Sequence, residues 1–124
     1  MPVNPVPFEV ESEEIDGIRA FRVRGELDMH TAPELERVLA AALEDPNASI
    51  LLDLSTCEFI DSTGIALIVR CWQRLDRDAV GEGSGRFVLN CDNHQVRRLL
   101  EITGVDSSIS MHHERDSALA ELRG

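Results

Sequence analysis

The stretch from Ile50 to Leu75 constrains the fold of this chain more than any other, because its hydrophobic period changes partway along. It opens with 50–54, a short apolar run broken by one aspartate, which is typical of a buried strand. From residue 62 onward the apolar side chains recur at helical spacing, at positions 65, 68, 69, 72 and 75. The stretch therefore predicts a buried strand followed by an amphipathic helix.

The segment between that strand and that helix carries small polar residues. We predict a polar turn at 55–58, and we place the start of the helix in the tetrapeptide Asp61-Ser62-Thr63-Gly64. The first turn of a helix has unpaired backbone N–H groups, and the helix dipole there favours negative charge. This junction is therefore a natural site for an anion.

The remainder of the chain alternates strands with helices. Asp16-Gly17 predicts a hairpin between an edge strand that begins at residue 8 and a second strand that ends at residues 25–28. Residues 31–34, Thr-Ala-Pro-Glu, predict a capping box for a helix that ends near residue 44. Beyond the central helix we expect a flexible loop at 78–85, a strand at 86–90, a helix over 92–104, a short strand at 109–111 and a helix at 116–122.

This order of elements predicts one α/β domain over residues 8–124. We expect a mixed sheet of four to five strands, with helices packed mainly on one face. Residues 1–7 contain three prolines and predict a flexible N-terminal tail.

The charge balance narrows the possible partners. The formal net charge is −11, from 23 acidic and 12 basic side chains, so the mean field repels nucleic acid and anionic membrane surfaces. Every basic residue is an arginine. The absence of lysine argues against a P-loop and against Schiff-base chemistry, and we expect no bound cofactor.

The cysteines and histidines predict no metal site. Cys57, Cys71 and Cys91 are odd in number and lack C-x-x-C spacing, and the histidines at 30, 112 and 113 do not form a metal-binding pattern. The N-terminus has no secretory pattern, and no apolar run approaches the roughly 18 residues that span a bilayer. We therefore expect a reduced, cytoplasmic protein without membrane contact.

Two polar segments are expected to meet at one edge of the sheet. A strand, helix, strand connection favours parallel neighbours, whose carboxyl ends lie at the same edge. Asp28 follows one of these strands, and Asp61 and Ser62 follow the next. We therefore expect two carboxylates beside one hydroxyl, where open α/β sheets usually bind ligands.

The same residues resemble a known family. Gly25-Glu26-Leu27-Asp28, the strand at 50–55 and the run Asp61-Ser62-Thr63-Gly64-Ile65 are similar to those of the anti-sigma factor antagonists of the STAS family, and the likeness in element order covers residues 8–122. The resemblance implies a STAS-type domain in which Ser62 is phosphorylated. It further implies an anti-sigma factor that is also a serine kinase and binds the ATP, and a serine phosphatase that restores the hydroxyl.

The function implied by the resemblance is partner switching. The unphosphorylated chain would bind the anti-sigma factor and so release a sigma factor for transcription, and it would not itself be an enzyme. Phosphorylation of Ser62 adds about −1.5 to −2 charges. The helix start would partly accommodate that charge, whereas Asp28 and Asp61 would repel it and a dry partner surface would bury it unpaired. We expect phosphorylation to block the interface more than it reshapes the domain.

The neighbours of Ser62 have structural interpretations as well. Ser62 or Asp61 is alternatively a plain helix N-cap, and Asp28 a turn residue. We interpret Thr63 as a helix-start residue with a minor phosphoacceptor role or none. Gly64 permits a close approach of backbone or partner, since glycine costs a helix about 1 kcal/mol relative to alanine.

The central helix carries a basic stripe in an otherwise acidic chain. Arg70, Arg74 and Arg77 lie on one face, which is by default a solvated face. The alternative is a partner contact through Arg70 and Arg74, to which Leu67 and Cys71 would add apolar area.

Two other functions stay open. A STAS domain also serves as an accessory or scaffold subunit of another complex, transporter-associated or stressosome-like, without direct sigma control. A hydrolase with Ser62 as nucleophile is the second, but the chain lacks a G-x-S-x-G elbow and no histidine has an evident place beside Ser62.

Overall fold

A mixed five-stranded sheet organises the computed structural model, which describes residues 6–81 and 85–124. The strands are β1 (Glu9–Ile15), β2 (Ile18–Leu27), β3 (Ser49–Ile60), β4 (Arg86–Asn90) and β5 (Met111–His112). The helices are α1 (Ala32–Leu43), α2 (Ser62–Gly81), α3 (His94–Ile102) and α4 (Arg115–Arg123), with a 3-10 turn at Val105–Ser107. The sheet order is β1-β2-β3-β4-β5, antiparallel between β1 and β2 and parallel elsewhere. The predicted mixed sheet is confirmed.

A tight turn joins the two antiparallel strands. Asp16 and Gly17 have φ angles of 52° and 82°, and Ile15 pairs with Ile18 directly across the turn. Two central residues with positive φ match the right-handed twist of the flanking strands. The hairpin predicted at this dipeptide is confirmed, and it leaves β1 as an edge strand.

Two hydrophobic cores lie on opposite faces of the sheet. Because successive side chains of a strand point to opposite faces, Leu52 of β3 lies in one core and Leu51 in the other. The larger core contains buried side chains from α1, α2 and α3. The smaller core contains the buried side chains of α4. Helices therefore pack mainly on one face, as predicted.

A buried carboxylate ties α4 to the sheet. Asp53 is fully buried and accepts hydrogen bonds from Arg22 Nε at 3.1 Å, Arg115 Nη1 at 3.0 Å, Asn90 Nδ2 at 2.9 Å and the Ser55 backbone N–H at 2.9 Å. Burial acts to raise the pKa of Asp53, but the hydrogen bonds from these groups outweigh it, and the pKa lies below its ordinary value. Asp53 is therefore a charged anchor beneath α4.

The polar turn predicted at 55–58 is wrong, because β3 continues to Ile60. Thr56 Oγ1 donates to the carbonyl of Val23 at 2.7 Å, and Cys57 and Ile60 are buried. The pairing with β2 is irregular at two points, where β3 has one residue more than its neighbour. Such bulges accommodate extra residues and strengthen the local twist.

The flexible loop predicted at 78–85 is also wrong over its first half. Helix α2 continues to Gly81, and residues 82–84 lie outside the described part of the chain. Each residue added to an existing helix gains about one hydrogen bond. This gain outweighs the low helix propensity of the polar residues and glycine in this segment.

The last strand, predicted at 109–111, begins only at Met111 and ends at His112, because Ile109 lies before it with its side chain buried in the larger core. The other boundaries agree with the predictions. Helix α1 ends at Leu43, and α4 spans one residue more at each end than expected. Asn93 caps α3 by accepting from two backbone N–H groups, and Gly104, with φ of 81°, follows the helix. Residues 1–5 of the predicted tail lie outside the described range, so its flexibility stays a prediction.

Candidate functional site

Ser62 is the first residue of α2, and its side chain is exposed. The residue that caps the helix is its neighbour, since Asp61 Oδ1 accepts from the backbone N–H groups of Thr63 at 2.9 Å and Gly64 at 3.1 Å. Within the described residues, the Ser62 hydroxyl makes no hydrogen bond. The alternative in which Ser62 is the N-cap is therefore wrong, and the hydroxyl is available at the surface.

The second oxygen of Asp61 connects the two polar segments. Asp61 Oδ2 accepts from the backbone N–H of Met29 at 3.3 Å, and the Asp61 N–H donates to the carbonyl of Leu27 at 3.2 Å. One side chain thus fixes the start of α2 and holds it against the loop that follows β2. The sequence predicted that these two segments meet, but it did not predict that Asp61 joins them.

Gly64 packs directly on Leu27, which explains why a glycine stands there. A Cβ at position 64 would lie 2.8 Å from Leu27 Cγ, 2.9 Å from Ile60 Cγ1 and 2.9 Å from the Leu27 carbonyl oxygen. No side chain fits that space without displacing backbone. The close approach predicted for Gly64 is made to the chain itself.

Asp28 organises the loop between β2 and α1. Its Oδ1 accepts from the backbone N–H groups of His30 at 2.9 Å and Thr31 at 3.1 Å. Slight burial acts to raise the pKa of Asp28, but these hydrogen bonds and one from the Thr31 hydroxyl hold it below its ordinary value. Asp28 is a charged turn residue, and within the described residues it makes no hydrogen bond to Ser62.

The capping box predicted at Thr31 is wrong. The Thr31 side chain makes no hydrogen bond to the first turn of α1; its hydroxyl donates to the carbonyl of Glu26 at 2.7 Å and accepts from the N–H of Asp28 at 2.9 Å. The hydroxyl is used to close the preceding loop, because Asp28 lies within reach.

Large apolar side chains that were not predicted from the sequence flank the site. Met29 is 64% exposed in the loop after β2, and Phe59 is 47% exposed near the end of β3. Met29 stands between Asp28 and His30, which is a signal that would have identified it, whereas Phe59 is followed by Ile60 and gives no such signal. Exposed apolar area beside a functional group is typical of a protein interface.

The predicted partner surface on α2 is corrected in part. Leu67 is 1% exposed and Cys71 is buried, because the buried face of the helix is centred on them, so neither offers area to a partner. Arg70 is exposed and pairs with Glu36 of α1 at 3.1 Å, and Arg74 is exposed. The side chain of Arg77 lies outside the described part of the chain.

The cysteines and the potential metal ligands are further candidates for chemistry among the described residues. Burial raises the pKa of the Cys57, Cys71 and Cys91 thiols to about 11. Over residues 6–81 and 85–124, no group of three or more histidine, cysteine, aspartate or glutamate side chains is arranged to hold a metal ion. No helix in the same ranges is long and apolar enough to cross a membrane.

The fold and this site define a small α/β domain that presents one serine at the start of its central helix. The family model of the STAS domain matches residues 9–118, and the chain belongs to the STAS domain family. The resemblance inferred from Gly25–Asp28 and from the segment at Ser62 is thus confirmed.

Named relatives agree with this assignment. The anti-sigma-B factor antagonist of Staphylococcus aureus is 32% identical over 98 residues, which cover 79% of this chain and 86% of that protein. An anti-sigma factor antagonist from Mycobacterium paratuberculosis has a similar structure, with a TM-score of 0.83 and 30% identity over 95% of this chain and 96% of that one. The fold also matches part of the murine anion transporter Slc26a9, with a TM-score of 0.70 and 18% identity over 90% of this chain and 18% of the transporter. The fold alone therefore does not define a function.

Proposed function

We propose that this chain is an anti-sigma factor antagonist. In its unphosphorylated form it binds an anti-sigma factor and thereby releases a sigma factor, and phosphorylation of Ser62 ends that binding. The observation that carries the proposal is the exposed Ser62 at the start of α2, whose hydroxyl makes no hydrogen bond to any described residue. The names of the staphylococcal and mycobacterial relatives support it.

The surroundings of Ser62 support the proposal that a phosphate there opposes binding. The N–H groups of Thr63 and Gly64, which would otherwise bind an anion, are already occupied by Asp61 Oδ1. The helix start therefore accommodates less of the added charge than the sequence led us to expect. A phosphate of about −1.5 to −2 charges would lie beside the Asp61 carboxylate, and a partner packed over it would have to bury that charge without these donors.

In this proposal, partner enzymes phosphorylate and dephosphorylate Ser62. The anti-sigma factor is a serine kinase that binds ATP and transfers its phosphate to Ser62, and a serine phosphatase removes it. Among the described residues no basic side chain contacts the Ser62 hydroxyl, so the kinase brings its own catalytic base. In this proposal the chain is a cytoplasmic binding protein and not an enzyme.

A binding titration tests the switch. The chain is titrated with purified candidate anti-sigma factors from the same genome, as wild type, as Ser62→Ala, as Ser62→Asp and as the phosphorylated protein. We expect Ser62→Ala to bind like wild type, and the phosphorylated protein to bind about tenfold more weakly or less. Equal affinity of the two forms contradicts the proposal.

The modification itself is tested separately. The chain is incubated with ATP and the anti-sigma factor that binds it, and the product is analysed by intact mass and peptide mapping. We expect one phosphate on Ser62, absent from Ser62→Ala. A phosphate that persists in Ser62→Ala, on Thr63 or elsewhere, contradicts the assignment of the acceptor.

A further inference from the structure

An apolar groove lies between the end of β3 and helix α3, next to the segment that carries Ser62. Its volume is about 270 Å³. The apolar side chains that line it are Phe59, Ile60, Val96, Leu99 and Ile102. Ile102 is 68% exposed at the last position of α3, and Phe59 is 47% exposed on the opposite wall.

Ile102 is an apolar residue of α3 that contributes nothing to either core. Val96 and Leu100 are the buried residues of α3, while Ile102 projects from the surface. An isolated exposed apolar residue needs no explanation, but two that face each other across a groove form a contiguous apolar surface. That surface is available to a partner.

The end of β3 connects the groove to the proposed binding face. Phe59 and Ile60 line it, and Asp61 and Ser62 follow them directly in the chain. Phe59 at the groove and Ser62 are both exposed and are separated by two residues in the chain, so one partner surface can cover both. A space of this volume admits one or two large side chains, which is how interfaces place their anchor residues.

We propose that the groove receives a large apolar side chain of the anti-sigma factor that covers Ser62. This inference rests on the proposed function and extends its interface to α3. A second copy of the chain is the less suitable occupant, because each copy carries a net charge of −11 and the two would repel each other. Glu58 and Arg98 also line the groove, so one negative and one positive charge lie beside the inserted side chain.

The test compares two single substitutions that add the same charge at exposed positions. Ile102→Glu places a carboxylate at the groove, and Ala120→Glu places one on α4, on the other face of the sheet. Each unphosphorylated variant is titrated with the anti-sigma factor that binds the wild-type chain. We expect Ile102→Glu to weaken binding about tenfold or more and Ala120→Glu to stay within about twofold. If Ile102→Glu unfolds, Ile102→Ser replaces it in the test. It removes the apolar contact without adding charge, and we expect it also to weaken binding to the anti-sigma factor.

The outcomes separate the groove from the proposed function. In one outcome, wild type binds the anti-sigma factor, phosphorylation blocks the binding, and both Ile102 variants bind as wild type does. The groove then has no part in the interface, and this inference is overturned while the proposed function stands. If no anti-sigma factor binds wild type, the proposed function and the groove assignment fail together. Sedimentation of the free chain completes the test, since a dimer that Ile102→Ser dissociates assigns the groove to a second copy and overturns the inference.

Discussion

The backbone N–H of Met29 donates to one carboxylate oxygen of Asp61 at 3.3 Å, while the other oxygen of the same side chain caps α2. The loop after β2 and the start of α2 are thus held by one group. Ser62 stands beside that group, and Met29 presents exposed apolar area next to it. The position of Ser62 therefore depends on the carboxylate of Asp61.

Removal of that carboxylate should destabilise the domain. We expect Asp61→Ala to lower the free energy of unfolding by about 1 to 2 kcal/mol, because it removes the helix cap together with the link to Met29. Urea denaturation followed by circular dichroism measures the change. Asp61→Asn is the matched control: its single side-chain oxygen can still cap the helix, so its loss should be smaller. An Asp61→Ala variant as stable as wild type contradicts this account of the site.

A methyl group at position 64 should be unfavourable despite the higher helix propensity of alanine. The propensity gain is about 1 kcal/mol, but the new Cβ would meet the Leu27 side chain and its carbonyl oxygen at distances below 3.0 Å. Overpacking against backbone costs about 1 to 3 kcal/mol, so we expect Gly64→Ala to be less stable than wild type in thermal or urea unfolding.

The control for that substitution lies in the same turn. Thr63 is exposed and its side chain makes no hydrogen bond within the described residues, so Thr63→Ala should change stability by less than about 0.5 kcal/mol. If Gly64→Ala and Thr63→Ala are equally stable, the packing of Gly64 on Leu27 does not constrain the fold.

The stability of the domain should fall in acid through Asp53. Its pKa is lowered in the folded state, so the ionised form stabilises the fold above the unfolded-state pKa, and this contribution is lost as pH falls through the folded-state pKa, below about pH 4. We expect Asp53→Asn to be about 2 to 3 kcal/mol less stable at pH 7, since Arg22 and Arg115 lose a buried partner but keep contact with water.

Urea titrations at several pH values measure this dependence. The difference in stability between wild type and Asp53→Asn should shrink as the solution becomes more acidic than pH 4. A difference that is the same at pH 3 and pH 7 excludes Asp53 as the group responsible.

The thiols should be inert in the folded protein. Burial raises the pKa of all three cysteines to about 11, so almost no thiolate exists at neutral pH and reagents cannot reach the sulfurs. We expect no rapid reaction with a thiol-specific reagent at pH 7.5 and complete reaction in denaturant, followed by absorbance. Rapid labelling of the folded chain contradicts the burial of Cys57, Cys71 and Cys91.

Local patterns predicted the elements of this fold because their causes are local. The change of hydrophobic period and the Asp61-Ser62 dipeptide located the start of α2 correctly, since helix caps and amphipathic spacing are read within a few residues. The dipeptide at 16–17 and Gly104 located a hairpin and a helix end, since both positions require positive φ.

Features that depend on distant partners were not predictable in this way. The polar end of β3 is a strand because β2 pairs with it through two bulges. Thr31 is the N-cap residue of α1, but its hydroxyl does not cap the helix because Asp28 and Glu26 bind it instead. Leu67 is buried because the face of α2 that meets the sheet is turned slightly from the one the spacing suggested. The exposure of Met29 and Phe59 likewise follows from packing. The phosphorylation of Ser62 stays a prediction, because it requires an enzyme that the chain does not contain.

The placement of α4 bears on how the protein can be handled. This helix packs on the smaller core, and its Arg115 pairs with Asp53. The proposed binding face is formed by β3, α2 and α3, which pack on the larger core. A tag, dye or surface tether attached after Gly124 therefore sits on the helix that packs against the other face of the sheet. Attachment after Gly124 therefore allows the domain to be immobilised for affinity measurements while the proposed binding face stays accessible.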